Sequence, residues 1–196
     1  IGDILTSKLV ENTVSEVGEF ISCRVGHTYI SQLFVEKDAD LAGELSGHFY
    51  FKETYSGDNA LFGGMKLIEY LSRTNKQLSD FNFPQYFSYS EYLPINKDRK
   101  EFISQLKTEL QKEFEIDETD GIKIKFDKGW AVFRLSNTEP KVLVAYESSD
   151  RQEFEEIQNL VESKLNPEIQ IFSVFDNANG FKITLKLSLF LKMYIL

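Results

Sequence analysis

The spacing of apolar residues changes character once along this chain, across the polar stretch 74–84. No single layer of secondary structure accommodates both halves. Before that stretch, short apolar strands at 3–5, 20–24, 41–43 and 48–51 alternate with helical periods. The helices run up to residue 17, over 29–37 and over 58–71, the last with Leu61, Met65, Ile68 and Leu71 on one face. Strand and helix alternating in this way imply an α/β layer structure. The abrupt start inside a strand suggests an N-terminally truncated unit, with more chain upstream.

Beyond residue 84 the pattern is different. Residues 87–93 read as a strand. Asp98-x-x-Glu101 has the form of a capping box and opens a helix that aligns Phe102, Ile103, Leu106 and Leu110. Strands follow at 122–126, 131–135 and 142–147. A second capped helix starts at Asp150-x-x-Glu153 and uses Phe154, Ile157, Leu160 and Val161 before Asn166-Pro167 ends it. A last strand at 169–174 is expected to close an α+β domain with helices on one face of an antiparallel sheet. From 182 onward, apolar residues occupy every second position: Ile183, Leu185, Leu187, Leu189, Leu191, Met193 and Ile195. That period is a strand signal, and Lys182, Lys186 and Lys192 argue against a membrane span. An added strand and a tail foreign to the natural reading frame both remain open for 176–196.

A net charge of −9 disfavours non-specific binding to nucleic acid or to an anionic membrane. With 17 Phe and 9 Tyr against 4 Pro, the chain is not of disordered composition. Cys23 is the only cysteine, so no internal disulfide forms, and its apolar neighbours predict a buried, inert thiol. There is no charged-then-apolar leader and no Asn-x-Ser/Thr acceptor, so the expected compartment is the cytoplasm. Zinc-type Cys/His clusters, a Walker loop and Gly-x-Gly-x-x-Gly are all absent from the sequence.

Three strings carry chemistry. In Arg134-Leu135-Ser136-Asn137-Thr138-Glu139-Pro140, a planar guanidinium fork is followed by short hydroxyl and amide donors, the set a phosphate dianion requires. Ser-Asn-Thr is also ordinary β-turn composition. In Gly43-Glu44-Leu45-Ser46-Gly47-His48, Glu44 can accept from vicinal hydroxyls, Ser46 can donate or accept, and the glycines allow close backbone approach. A Gly-flanked hairpin with a solvated Glu is the plainer alternative. Arg24-Val25-Gly26-His27 places a histidine at a strand-to-helix turn, where a helix N-terminus favours an anion or His27 is simply a cap or surface residue.

Together these strings resemble the sugar-binding and phosphate-binding loops of the α-D-phosphohexomutases, the phosphomannomutase/phosphoglucomutase family. The resemblance covers residues 1 to about 175 and is strengthened by Lys128-Gly129-Trp130 upstream of the Arg-x-Ser-Asn-Thr string. It implies a three-layer α/β third domain, incomplete at its N-terminus, over 1–84. A phosphate-binding C-terminal domain follows over 85–175. Gly43, Glu44, Ser46, Gly47, His48 and His27 would contact the sugar, with Glu44 and Ser46 gripping O3 and O4. Arg134, Ser136, Asn137 and Thr138 would anchor phosphate, and Arg24, Lys128 and Lys8 are further basic candidates.

The family interconverts hexose 1-phosphates and 6-phosphates of mannose or glucose through a phosphoserine and a bisphosphorylated sugar, with magnesium. Its Ser-His-Asn-Pro and Asp-Gly-Asp-x-Asp-Arg strings do not occur here. The resemblance therefore implies a C-terminal part that recognises substrate, is inactive alone, and works with mutase domains upstream that bind the magnesium. Leu45 is closer to the Met-containing loop of phosphomannomutase/phosphoglucomutases than to the Gln-containing loop of phosphoglucosamine mutases. A phosphoglucosamine mutase part and a non-catalytic phosphosugar-binding or structural remnant stand as alternatives. One departure is Leu5, which occupies a position where many members carry a ligand-contacting Lys; Lys8 follows three residues on.

Overall fold

A computed structural model describes residues 1–55, 57–95, 98–136 and 139–165, together with the backbone of two later strands at 171–175 and 182–186. The chain divides into two compact units, Ile1–Phe154 and Glu155–Leu196.

The first sheet is short-stranded and mixed. Its order is β2 (Ser22–Cys23), β1 (Gly2–Asp3), β3 (Leu41–Gly43), β4 (Phe49–Phe51), with the first three parallel and β3–β4 an antiparallel hairpin. Helix α1 (Lys8–Ser15) links β1 to β2, and α2 (His27–Glu36) links β2 to β3. This is the crossover pattern that parallel strands require. Ile30 and Phe34 of α2 meet Cys23, Ala42 and Tyr50 in one buried cluster. Cys23 is buried as expected, and burial pushes its thiol pKa up.

Helix α3 (Ala60–Thr74) is capped by Asn59, whose side chain accepts from the Phe62 N–H. Its apolar stripe is not a core face. Leu61, Met65 and Ile68 are 78%, 58% and 64% exposed, and the helix buries no residue. The polar stretch that follows contains a short 3-10 turn at Leu78–Asp80 and a stacked Phe81–Phe83 pair.

The second sheet is antiparallel, in the order β5 (Phe87–Pro94), β9 (Lys141–Ser148), β8 (Gly129–Leu135), β7 (Ile122–Lys125), β6 (Ile116–Asp117). Asp98 accepts from the Lys100 and Glu101 N–H groups and starts α4 (Arg99–Leu110), which lies against β8 and buries Leu106 and Leu110. Helix α5 (Arg151–Lys164) begins with Phe154 against the rings of Phe87 and Tyr146.

The other face of this sheet receives the start of the chain. Ile4 and Leu5 pack on Trp130, Val132, Leu143 and Ala145. Register puts Lys123, Arg134 and Glu147 on that same face, because Val132 pairs with both Lys123 and Ala145. Each of the three polar groups has a partner. The Lys123 ammonium donates to the Ile4 carbonyl at 2.8 Å and lies over the Trp130 ring. Glu147 accepts from the Ser7 hydroxyl and the Lys8 N–H at 2.9 and 2.8 Å, which caps α1. Arg134 pairs with Asp120.

In the second unit the strand expected to close the five-stranded sheet lies at β10 (Ile171–Phe175). It pairs instead with β11 (Lys182–Lys186), in register Ile171 to Lys186 through Phe175 to Lys182. The alternating tail thus yields one described strand. Residues 187–196 lie outside the described residues.

Candidate functional site

All three parallel strands of the first sheet end at the same edge, and their carboxyl ends deliver Asp3, Arg24 and Glu44. Ligands of open α/β sheets bind at such edges. Asp3 is 2% exposed. One of its oxygens takes the Leu5 N–H at 2.8 Å and the Thr6 hydroxyl, and the other takes the Leu45 N–H at 3.0 Å. Asp3 therefore tethers the tip of the β3–β4 hairpin. Desolvation pushes its pKa up, against the pull of those N–H donors.

The hairpin turn is closed by Glu44 N–H to the His48 carbonyl and Gly47 N–H to the Glu44 carbonyl, at 3.0 and 2.9 Å. Gly47 has φ +88°, the left-handed residue that a three-residue hairpin loop demands. Gly43 ends β3 beside the Phe49 ring. The loop fixes its own side chains. The Ser46 hydroxyl lies 2.7 Å from His48 Nδ1, and His48 Nε2 lies 3.8 Å from Asp58. The Glu44 carboxylate turns inward, with its side chain 4% exposed and Oε2 3.6 Å from His48. Its Oε1 accepts from the Gly26 N–H at 3.0 Å.

Gly26 caps α2, and His27 is the first residue of that helix. The His27 Nδ1 lies 3.0 Å from the hydroxyl of Tyr50, which is fully buried. Burial first, then the negative charge of Glu44 and Asp58, pushes the Tyr50 phenol up to about 12. The Val25 N–H donates to Asp120 Oδ2 at 3.1 Å, and Arg24 lies over the Tyr29 ring with Nε 3.8 Å from Asp120 Oδ1.

Asp120 joins the two sheets' contributions. Its Oδ2 also accepts from Arg134 Nε at 2.6 Å, in a pair whose side chains are 8% and 9% exposed. The Arg134 Nη groups make no hydrogen bond to the described residues. Gly121 follows at φ +95°, and a Cβ there would run into the Phe133 carbonyl, so the turn that aims Asp120 depends on glycine. Past Arg134, Ser136 is buried and its hydroxyl accepts from the Glu139 N–H at 3.2 Å. Arg99, at the start of α4, donates through Nη1 to the carbonyls of Ser136 and Glu139. Asn137 and Thr138 lie outside the described residues.

The structure thus links Arg24, Gly26, His27, the Gly43–His48 loop and Arg134 into one connected group. Lys128 and Lys8 stand apart from it. Lys128 sits at the opposite end of β8 from Arg134, about 20 Å along the strand, and its ammonium donates to Asp150 at 3.2 Å. Lys8 lies at the start of α1, with its ammonium 3.8 Å from Glu11. Asp120, Asp3, Tyr50 and Arg99 were not identified from sequence. Only Asp120-Gly121 carried a local signal, that of a turn dipeptide. Among the described residues no cluster of His, Cys, Asp or Glu is arranged to hold a metal, so the magnesium implied by the resemblance has no fitting ligand set there. No helix among them is long and apolar enough to cross a membrane.

Comparisons with known proteins agree with the fold class. Residues 1–86 match the model of the phosphoglucomutase/phosphomannomutase α/β/α domain III, and residues 95–164 match that of the C-terminal domain of the same family. A phosphomannomutase of Methanocaldococcus jannaschii is 35% identical over 167 residues, 81% of this chain and 37% of that protein. A phosphoglucomutase of Neisseria meningitidis is 33% identical over 167 residues, 81% of this chain and 36% of that protein. The chain thus spans just over a third of the length of these relatives. A solved structure of a phosphoglucomutase/phosphomannomutase family protein from Burkholderia thailandensis superposes with a TM-score of 0.71 at 25% identity, covering 84% of this chain and 36% of that one.

Proposed function

Because this chain belongs to the phosphoglucomutase/phosphomannomutase family, as its third α/β/α domain and its C-terminal domain, we propose that it supplies substrate recognition for interconverting hexose 1-phosphates and 6-phosphates. The substrates in this reading are the mannose or glucose phosphates, in the cytoplasm. The observation that carries it is the run of contacts from Glu44 through Gly26, Val25 and Asp120 to Arg134. A carboxylate suited to hydroxyls and a guanidinium suited to phosphate are thereby held in one frame.

The roles divide along that frame. Glu44 and Ser46 take sugar hydroxyls, with His27 and His48 at the rim. Asp120 occupies Nε of Arg134, so the two Nη groups are left to make the bidentate contact with phosphate, while Ser136, Asn137 and Thr138 add short donors. Residues 1–84 form the sugar-binding domain of this reading, 85–175 the phosphate-binding domain, and 176–196 an appended strand region. Magnesium and the phosphoserine belong to the part of the longer relatives that this chain does not match, and no step here runs through them.

Titration calorimetry with glucose 1-phosphate and with inorganic phosphate tests the division. Arg134→Ala should weaken both ligands by about 1.5–3 kcal/mol, the scale of a charge-assisted hydrogen-bonding group. Glu44→Gln should weaken the sugar phosphate and leave inorganic phosphate unchanged. Wild-type affinity for glucose 1-phosphate in both variants would reduce the two strings to plain turns.

A further inference from the structure

Arg99 is the first residue of α4, where the positive end of the helix dipole disfavours a cation. The helix already has its cap in Asp98. What Arg99 engages instead is the turn after β8. One nitrogen, Nη1, donates to the Ser136 carbonyl at 3.0 Å and to the Glu139 carbonyl at 2.8 Å, which spends both of its hydrogens. Those two residues flank Asn137 and Thr138, the middle of the string proposed to hold phosphate.

The other bonds of the turn work to the same end. The Ser136 N–H donates to the Lys141 carbonyl at 2.9 Å, and the Glu139 N–H donates to the Ser136 hydroxyl at 3.2 Å. The Ile95 N–H donates to the Pro140 carbonyl at 3.1 Å. The carbonyls of Ser136, Glu139 and Pro140 are thus each tied to a donor. Carbonyl oxygens repel an anion and backbone N–H groups attract it, so a loop whose carbonyls are tied elsewhere is already sorted for phosphate. We infer that Arg99 is a positioning residue for phosphate, which gathers the carbonyls on both sides of Asn137-Thr138 and holds the loop in its binding shape before the ligand arrives. The inference rests on the phosphate reading of the Arg134 string; Arg99 acts through the loop and does not touch the phosphate.

Titration calorimetry of the 196-residue chain with glucose 1-phosphate and with inorganic phosphate is paired with amide hydrogen exchange of the ligand-free chain. Arg99→Met, which keeps the apolar stem, should weaken both ligands about tenfold, the scale of one charge-assisted hydrogen-bonding group. The loss should persist at roughly 0.5 M salt, where a distant charge is screened but the shape of a loop is not. Exchange at the Ser136 and Glu139 N–H groups should quicken in the same variant. Arg99→Lys should recover most of the affinity and the slow exchange, since one ammonium nitrogen can also serve two carbonyls. Arg99→Gln, neutral and too short to reach both carbonyls, should behave as Arg99→Met does, and it carries the test if the Met variant does not fold. Wild-type affinity in the folded neutral variants, a loss that vanishes in salt, or a Lys variant no better than Met would overturn the assignment. If Arg134→Ala weakens both ligands and the neutral Arg99 variants weaken neither, the phosphate reading stands and the role of Arg99 falls. If Arg134→Ala changes neither ligand, the phosphate reading fails and takes this inference with it.

Discussion

Arg134 shows how a binding residue can be decided by a neighbour that its own string does not contain. Its side chain is 8% exposed and would be a buried, uncompensated charge without Asp120. Asp120→Ala should therefore cost about 3–5 kcal/mol in a urea titration, the penalty of orphaning one partner of a buried pair. Asp120→Ala combined with Arg134→Met should recover most of that loss, because the stranded charge goes with it. Equal losses in the single and double variants would mean that the pair contributes no specific interaction.

Lys123 gives a pH signature at the same scale. Burial lowers its pKa from 10.5. Between the lowered value and 10.5 the unfolded chain binds more protons than the folded one, so stability rises with pH across that window. Against a Lys123→Met variant, which keeps the stem and loses the titration, the wild type should gain stability as pH climbs from neutral toward 10.5. A difference flat in pH would show that the ammonium is solvated in the folded chain.

At the scale of elements, local signals were legible and partners were not. Leu41–Gly43 forms the strand its sequence announces, and the Asp98 cap starts α4 where the capping box lies. The hairpin loop is readable because Gly47 is needed for its left-handed residue. Lys128 and Arg134 are close in sequence and far apart in space, because Lys-Gly-Trp and Arg-x-Ser lie at opposite ends of β8. Asp120 was not readable because its partners, Val25 and Arg134, come from different sheets.

Helix α3 shows a different limit of a sequence pattern. Its 3.6-residue period correctly marks an apolar face, but periodicity does not say what covers that face. In this chain the face is open, so Met65→Gln and Ile68→Gln should each shift folding stability by less than about 0.5 kcal/mol. Phe34→Ala, on the buried face of α2, should cost about 3–5 kcal/mol in the same urea assay. A large loss from Met65 or Ile68 would place them in a contact that exposure does not reveal.

Across the first compact unit, the N-terminal segment is the fastener between the sheets. Ile4 has no exposed surface and packs with Leu5 on Trp130, Val132, Leu143 and Ala145. Ile4→Ala should cost about 2–5 kcal/mol. It should also shift the emission of Trp130, the only tryptophan, to longer wavelength as water reaches the ring. A destabilised variant with unchanged emission would place the damage within the first sheet alone. Sequence patterns identified both sheets but not this junction, which is made by a segment too short to show any period.

The shared carboxylate of Asp120 also has a metric consequence. It receives the backbone beside the residue that holds Glu44 on one side and the guanidinium of Arg134 on the other. The gap between the hydroxyl grip and the phosphate grip is then set by short hydrogen bonds on a common fulcrum, not by two loops that wander independently. Under the proposed function the site works as a ruler, and molecules whose hydroxyls and phosphate are spaced wrongly are refused by length before any question of their stereochemistry arises.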